Sequence, residues 1–105
     1  MGYNRHHAII VSSWSDEHIE TAHALARIFC RAVSGIVNSR SEGVRSFFIP
    51  PDGSKEGWED SNDGDHERET FIASISREKL YLKWVEVQYG DDNKETKIVN
   101  YGPKE

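Results

Sequence analysis

The chain has little of several things that usually announce a class. Among 105 residues there is one cysteine, Cys30, with one methionine and three prolines. A single thiol forms no internal disulfide and no cysteine-rich metal site, which fits a reducing compartment. No apolar run approaches the ~18 residues of a membrane span, and no apolar h-region follows Met1, so a cytoplasmic protein free of membrane is expected. Basic charge is also scarce: 13 Lys and Arg stand against 18 Asp and Glu. Direct nucleic-acid binding, which draws most of its affinity from a basic stripe, is therefore disfavoured.

What is present is enough for one domain. With 36% hydrophobic and 30% charged residues, the chain can bury a core and reads as a single domain over residues 1–105. The negative charge is concentrated: residues 52–69 hold eight acids and two bases. The plain reading of that run is a solvated loop and helix start. A sharper one is an acidic surface for a basic partner protein.

The order of elements follows from periodicity. His7 to Ser13 is a β-branched run suited to a buried strand. Ser13 or Ser15 can cap a helix with Asp16 and Glu17 in its first turn. The stripe Ile19, Ala22, Ala26, Phe29, Cys30, Val33 predicts that helix over Asp16–Val33, closed by Ser34-Gly35 with glycine as a left-handed cap. Leu25, Ile28 and Ala32 lie off the stripe and suggest a second apolar flank, hence a homo-oligomer. Ile36–Ser39 and Val44–Ile49 read as strands around Ser41-Glu42-Gly43, and Pro50-Pro51 ends the second.

Pro51 to Gly64 is turn chemistry around Trp58, a connection of about 14 residues where 4–6 is usual. A second helix is expected from Gly64-Asp65 to Arg77 with Phe71, Ile72 and Ile75 inward. Leu80–Tyr89 is a strand whose faces are Tyr81, Val85, Val87, Tyr89 and Leu82, Trp84, Glu86, Gln88. Gly90-Asp91-Asp92-Asn93 turns it into Thr96–Tyr101. The order β-α-β-β-α-β-β is ferredoxin-like with an added strand: an α+β fold, an antiparallel sheet of about five strands with two helices on one face. Burial of Phe29, Phe71, Val85 and Val87 between helices and sheet would leave Trp84, Glu86 and Gln88 on the open side, available to a ligand or a second subunit.

Catalytic and metal patterns are weak. His18 and His23 are five apart on the first helix, not the three or four that a helical metal pair needs, and His6, His7 and His66 complete no ligand set. Within the apolar stripe, His23 reads as a satisfied core or interface histidine. Glu59–Thr70 overlays a calcium loop, but Thr70 stands where the closing glutamate belongs. Gly53-Ser54-Lys55 lacks the glycine spacing of a P-loop, and Cys30 on a buried stripe is a poor nucleophile. No metal or cofactor is expected. An enzyme would need a histidine and carboxylate joined by the fold, for instance His66 with Asp63.

The more informative set is one of binding groups: Arg45, Lys55, Trp58, Arg68, Trp84 and Tyr89, with Gln88 nearby. Aromatic faces and cations are what a nucleotide-like small molecule requires, for stacking and phosphate contacts. The competing reading makes Trp58 and Tyr89 core plugs and pairs Arg45 and Arg68 with neighbouring acids.

The phrase Ser46-Phe47-Phe48-Ile49-Pro50-Pro51-Asp52-Gly53-Ser54-Lys55-Glu56-Gly57-Trp58-Glu59 resembles one carried by short uncharacterised bacteriophage-encoded accessory proteins, roughly S-F-F-[apolar]-x-P-D-G-S-K-E-G-W-E. Trp84-Val85-Glu86-Val87-Gln88-Tyr89-Gly90-Asp91 and the opening Val11-Ser12-Ser13-Trp14 are similar to later and earlier parts of those proteins. The resemblance implies a small accessory phage protein in the host bacterial cytoplasm. One route open to such a protein is to capture a nucleotide signal of host defence without chemistry on it. The alternative is an acidic inhibitor of a basic host protein, acting as a partial nucleic-acid mimic.

Overall fold

A computed structural model of the chain describes residues 6–40, 43–51, 59–90 and 96–103. In order, the elements are β1 (His6–Ser13), α1 (Asp16–Phe29), β2 (Val37–Asn38), β3 (Arg45–Ile49), α2 (Glu59–Arg77), β4 (Lys83–Tyr89) and β5 (Lys97–Gly102). The five strands form one sheet in the order β2-β3-β1-β4-β5, with each neighbouring pair antiparallel. The first four strands have the split-βαβ arrangement, and β5 extends it at the β4 edge. The α+β expectation holds.

β1 is central because it can be buried along most of its length. Ile9 and Val11 are fully enclosed beneath the helices, with Ile19, Ala22 and Ala26 of α1, Phe47 and Ile49 of β3, and Phe71 and Ile75 of α2. Phe47 meets Phe71 edge-on at 6.3 Å between ring centroids, and His23 at 5.1 Å. The imidazole of His23 also lies 2.9 Å from the Ser34 carbonyl, so this histidine is satisfied within the packing.

Ser15 caps α1, its Oγ accepting from the His18 backbone N–H at 3.2 Å. The far end differs from the predicted one. The helix stops at Phe29, and Cys30 is already extended at φ −119° and ψ 139°. Tertiary contacts take over from local periodicity at this point. Glu67 of α2 accepts the Arg31 backbone N–H at 3.0 Å, and the Arg31 guanidinium reaches Glu67 and Asp63 at 3.1 and 3.2 Å. Ser34 is tied to Phe48, donating its N–H to the carbonyl at 2.9 Å and accepting the Phe48 N–H on Oγ at 2.8 Å. Residues 30–36 are therefore drawn out along β3, and Gly35 does not serve as a left-handed cap. The second apolar flank of α1 shrinks with them: Leu25 packs on the core, Ala32 lies beyond the helix, and Ile28 alone stands out at 71% exposure.

α2 begins at Glu59, five residues before the expected start, so the Glu59–Gly64 stretch overlaid on a calcium loop is helical. β4 starts at Lys83 rather than Leu80. The larger correction concerns its faces. The alternation is as expected, but the sides are exchanged: Trp84, Glu86 and Gln88 face the helices, while Val85 and Val87 lie on the open side. Register with β1 sets this, placing Val11 beside Trp84, Ile9 beside Glu86 and His7 beside Gln88. Burying a carboxylate on the helix side is tolerated because α2 brings Arg68 to it.

Cys30 is buried, with its Sγ 3.8 Å from the Glu67 carbonyl. Burial, helped by the Glu67 charge and opposed by Arg68, pushes its thiol up to about 11. At pH 8 the thiolate is therefore about 100-fold scarcer than in an ordinary cysteine. Ellman's reagent should accordingly react with the native protein at least tenfold more slowly than with the protein in guanidinium. Equal rates would contradict this burial.

Candidate functional site

Two adjoining hollows lie between α2 and the β4–β5 hairpin, on the helix side of the sheet. The larger, about 620 Å³, has Trp84 from β4, Leu82 just before it, Ile72 and Ile75 from α2, and Gly102 from β5 among its walls, with Lys79 at the rim. This volume falls within the range of small-molecule sites, ~300–1,000 Å³. It exists because α2 ends at Arg77 and the chain turns through Lys79, held at φ +54°, before β4 begins. Across the hollow, Gly102 lies opposite Trp84 in the β4–β5 register. A Cβ at Gly102 would overlap the indole, meeting Cζ2 at 2.8 Å and Nε1 more closely still. Only glycine lets the β5 backbone rest directly on that ring.

The second hollow, about 470 Å³, shares Ile72 and Asn100 with the first and is polar at its base. His7 Nδ1 lies 3.2 Å from Glu86 Oε2, and the same oxygen lies 3.7 Å from Arg68 Nε. Arg68 also grips Asp65 one helical turn before it. The side chains of Arg68, Glu86 and His7 are 6%, 14% and 16% exposed, so this is a largely desolvated polar cluster in which Glu86 faces the Arg68 cation. An imidazole oriented by a carboxylate is a general-base arrangement in form. Here the His7 ring nitrogen is committed to Glu86 within the sheet, and the Arg68 Nε–Glu86 contact ties α2 to β4. The pair that the fold assembles is His7 with Glu86, and not His66 with Asp63.

The six residues expected to gather around a ligand are dispersed. Lys55 and Trp58 lie outside the described residues. Arg45 sits at the start of β3, on the far side of β1 from the hollows, with its guanidinium 3.4 Å from Asp16, 3.6 Å from Glu20 and 3.1 Å from Asn38 Oδ1. Arg68 is buried in the ion-pair chain. Trp84 walls the larger hollow. Tyr89 is on the opposite face of the sheet, its ring 5.4 Å from that of His6. Of the four described residues, Arg68 and Trp84 are brought to neighbouring hollows. The pairing of Arg45 and Arg68 with nearby acids is seen, whereas Tyr89, at 38% exposure, is no core plug.

No protein-family model, curated protein or solved structure matches this chain.

The groups that sequence reasoning missed are Lys79, Gly102, His7 and Glu86. Lys79 and Gly102 gain their roles from the pairing of β5 with β4 and the turn after α2. His7 and Glu86 had a signal in the sequence, a charged residue in the middle of a strand flanked by valines. Such a residue needs either solvent or a buried counter-charge, and the second possibility points to Arg68.

Proposed function

We propose that this protein is a non-enzymatic binding protein for a nucleotide-derived small molecule, seated in the hollow between α2 and the β4–β5 hairpin. The observation that carries the reading is the Trp84 wall: a half-buried indole in a cleft of about 620 Å³, with apolar neighbours and the Lys79 cation at the rim. A base stacks on the indole, and a phosphate meets the ammonium at the mouth. The resemblance to phage accessory proteins supplies the setting, in which binding alone removes a host signal.

Sequestration is favoured over chemistry by how the reactive groups are engaged. Cys30 is buried with its thiol pushed up. His7, Glu86, Arg68 and Asp65 hold one another, and Arg31, Asp63 and Glu67 link α1 to α2. Those same pairs weigh against the acidic-inhibitor reading, because Asp63, Asp65 and Glu67 of the acidic run already have cationic partners within the fold.

Isothermal titration against a panel of cyclic dinucleotides and cyclic ADP-ribose isomers tests the proposal. At least one should bind, and the ligand should be recovered chemically unchanged by chromatography. Trp84→Ala should weaken it between ~5- and ~150-fold, the value of one aromatic stack. Absence of heat with every member of the panel removes the nucleotide reading. Turnover of the ligand replaces sequestration with catalysis at His7–Glu86.

A further inference from the structure

The face of the sheet away from the helices carries a continuous apolar surface across four strands. Phe48 of β3, Ile10 of β1, Val85 of β4 and Tyr101 of β5 stand in one line, each the register partner of the next. Ala8, Val87 and Ile98 form a second line beside it. With Val37 and Tyr89 at the margins, the six large exposed side chains here are between 38% and 65% open to solvent.

We infer that this face is the contact surface of a homodimer, each copy packing its sheet against the other's. Two observations favour a second copy as the occupant. The exposed side chains amount to on the order of 600 Å², counting ~200 Å² for a large side chain, which is at the upper limit of ~300–600 Å² for the largest patch on a monomer. Val85 and Val87 lie between these side chains and extend the patch toward the ~800 Å² that each partner contributes to an ordinary stable interface. The centre of the patch is free of charge among the described residues, with Lys83 and His6 at opposite ends of the face. In a two-fold contact any charge near the axis meets its own sign, so an uncharged centre suits self-association, whereas a charge-selected partner would be met by complementary charges. The hollows beside α2 open on the other side of the sheet, with Tyr101 bordering both the larger hollow and this face, so the dimer is read from mass alone and does not depend on ligand binding.

Light scattering coupled to size exclusion decides it. At about 100 µM the protein should run at twice its 12.0 kDa mass. Ile10→Glu, which places like charges at the centre of both faces, should give monomers with an unchanged far-ultraviolet circular dichroism spectrum. Tyr101→Glu on the edge strand should do the same, and serves if Ile10→Glu does not fold. Mixing Ile10→Glu with Ile10→Lys should restore a species of dimer mass. A monomeric wild-type protein at this concentration overturns the inference, as does a dimer that both folded glutamate variants leave intact.

Discussion

Glu86→Ala should destabilise the protein by about 3 kcal/mol, the lower end of the cost of breaking a buried ion pair. Thermal unfolding should show it as a drop in Tm of roughly 15 °C for a chain of this size. The reason lies in what is left behind. Arg68 is almost fully enclosed and Glu86 is its partner from the sheet, at 3.7 Å, while His7 is the second group on the same carboxylate. Glu86→Ala removes the carboxylate through which Arg68 of α2 meets β4, while the half-exposed Asp65 on the same helix stays with the guanidinium. The double change Glu86→Leu with Arg68→Met should cost less than Glu86→Ala alone, because no buried charge remains uncompensated. A Glu86→Ala protein that unfolds within about 3 °C of wild type, equivalent to well under 1 kcal/mol, would mean that solvent already screens the pair.

Gly102→Ala should have the second large effect, and it reaches ligand binding as well as stability. The added methyl group coincides with the Trp84 indole, where Cζ2 would be 2.8 Å away. The paired β5 backbone cannot yield cheaply, so the ring must move. The expected cost is ~1–3 kcal/mol, as for other overpacked sites. Relief comes by rotating the indole toward the hollow, so the variant should bind at least tenfold more weakly even where it remains folded. Urea unfolding measures the first effect and titration calorimetry the second. A variant as stable and as competent as wild type would show that Trp84 does not lie against β5.

How much of this could be read from the sequence differs by element. β1, the Ser15 cap and the β-α-β-β-α-β-β order were legible because they rest on local signals: a β-branched run, a hydroxyl before two acids, and glycine or proline at the breaks. The end of α1 was not, because the apolar stripe runs on through Cys30 and Val33. What stops the helix is Glu67, distant in sequence, together with the pairing of Ser34 to Phe48. The sidedness of β4 was hidden for a similar reason. Two valines and two tyrosines looked like the inner set, and the burial of Glu86 becomes reasonable only once Arg68 and His7 arrive from other elements. That inversion matters for function: it moves Trp84 from an open surface into a cleft, and it turns the open surface from a polar face into an apolar one. Of the groups proposed to bind, Trp84 is legible by its chemistry, whereas Lys79 and Gly102 require the fold.

The most direct test of the account follows the Trp84 indole N–H by two-dimensional proton–nitrogen NMR during titration with the cyclic nucleotide panel, its resonance assigned by comparison with Trp84→Phe. The account predicts that a binding nucleotide moves this signal and the backbone amides of Lys79 and Gly102, while the amides of Ile10 and Phe48 on the opposite face stay in place. A nucleotide that binds and leaves the indole signal unmoved, or a panel that moves nothing, would contradict it.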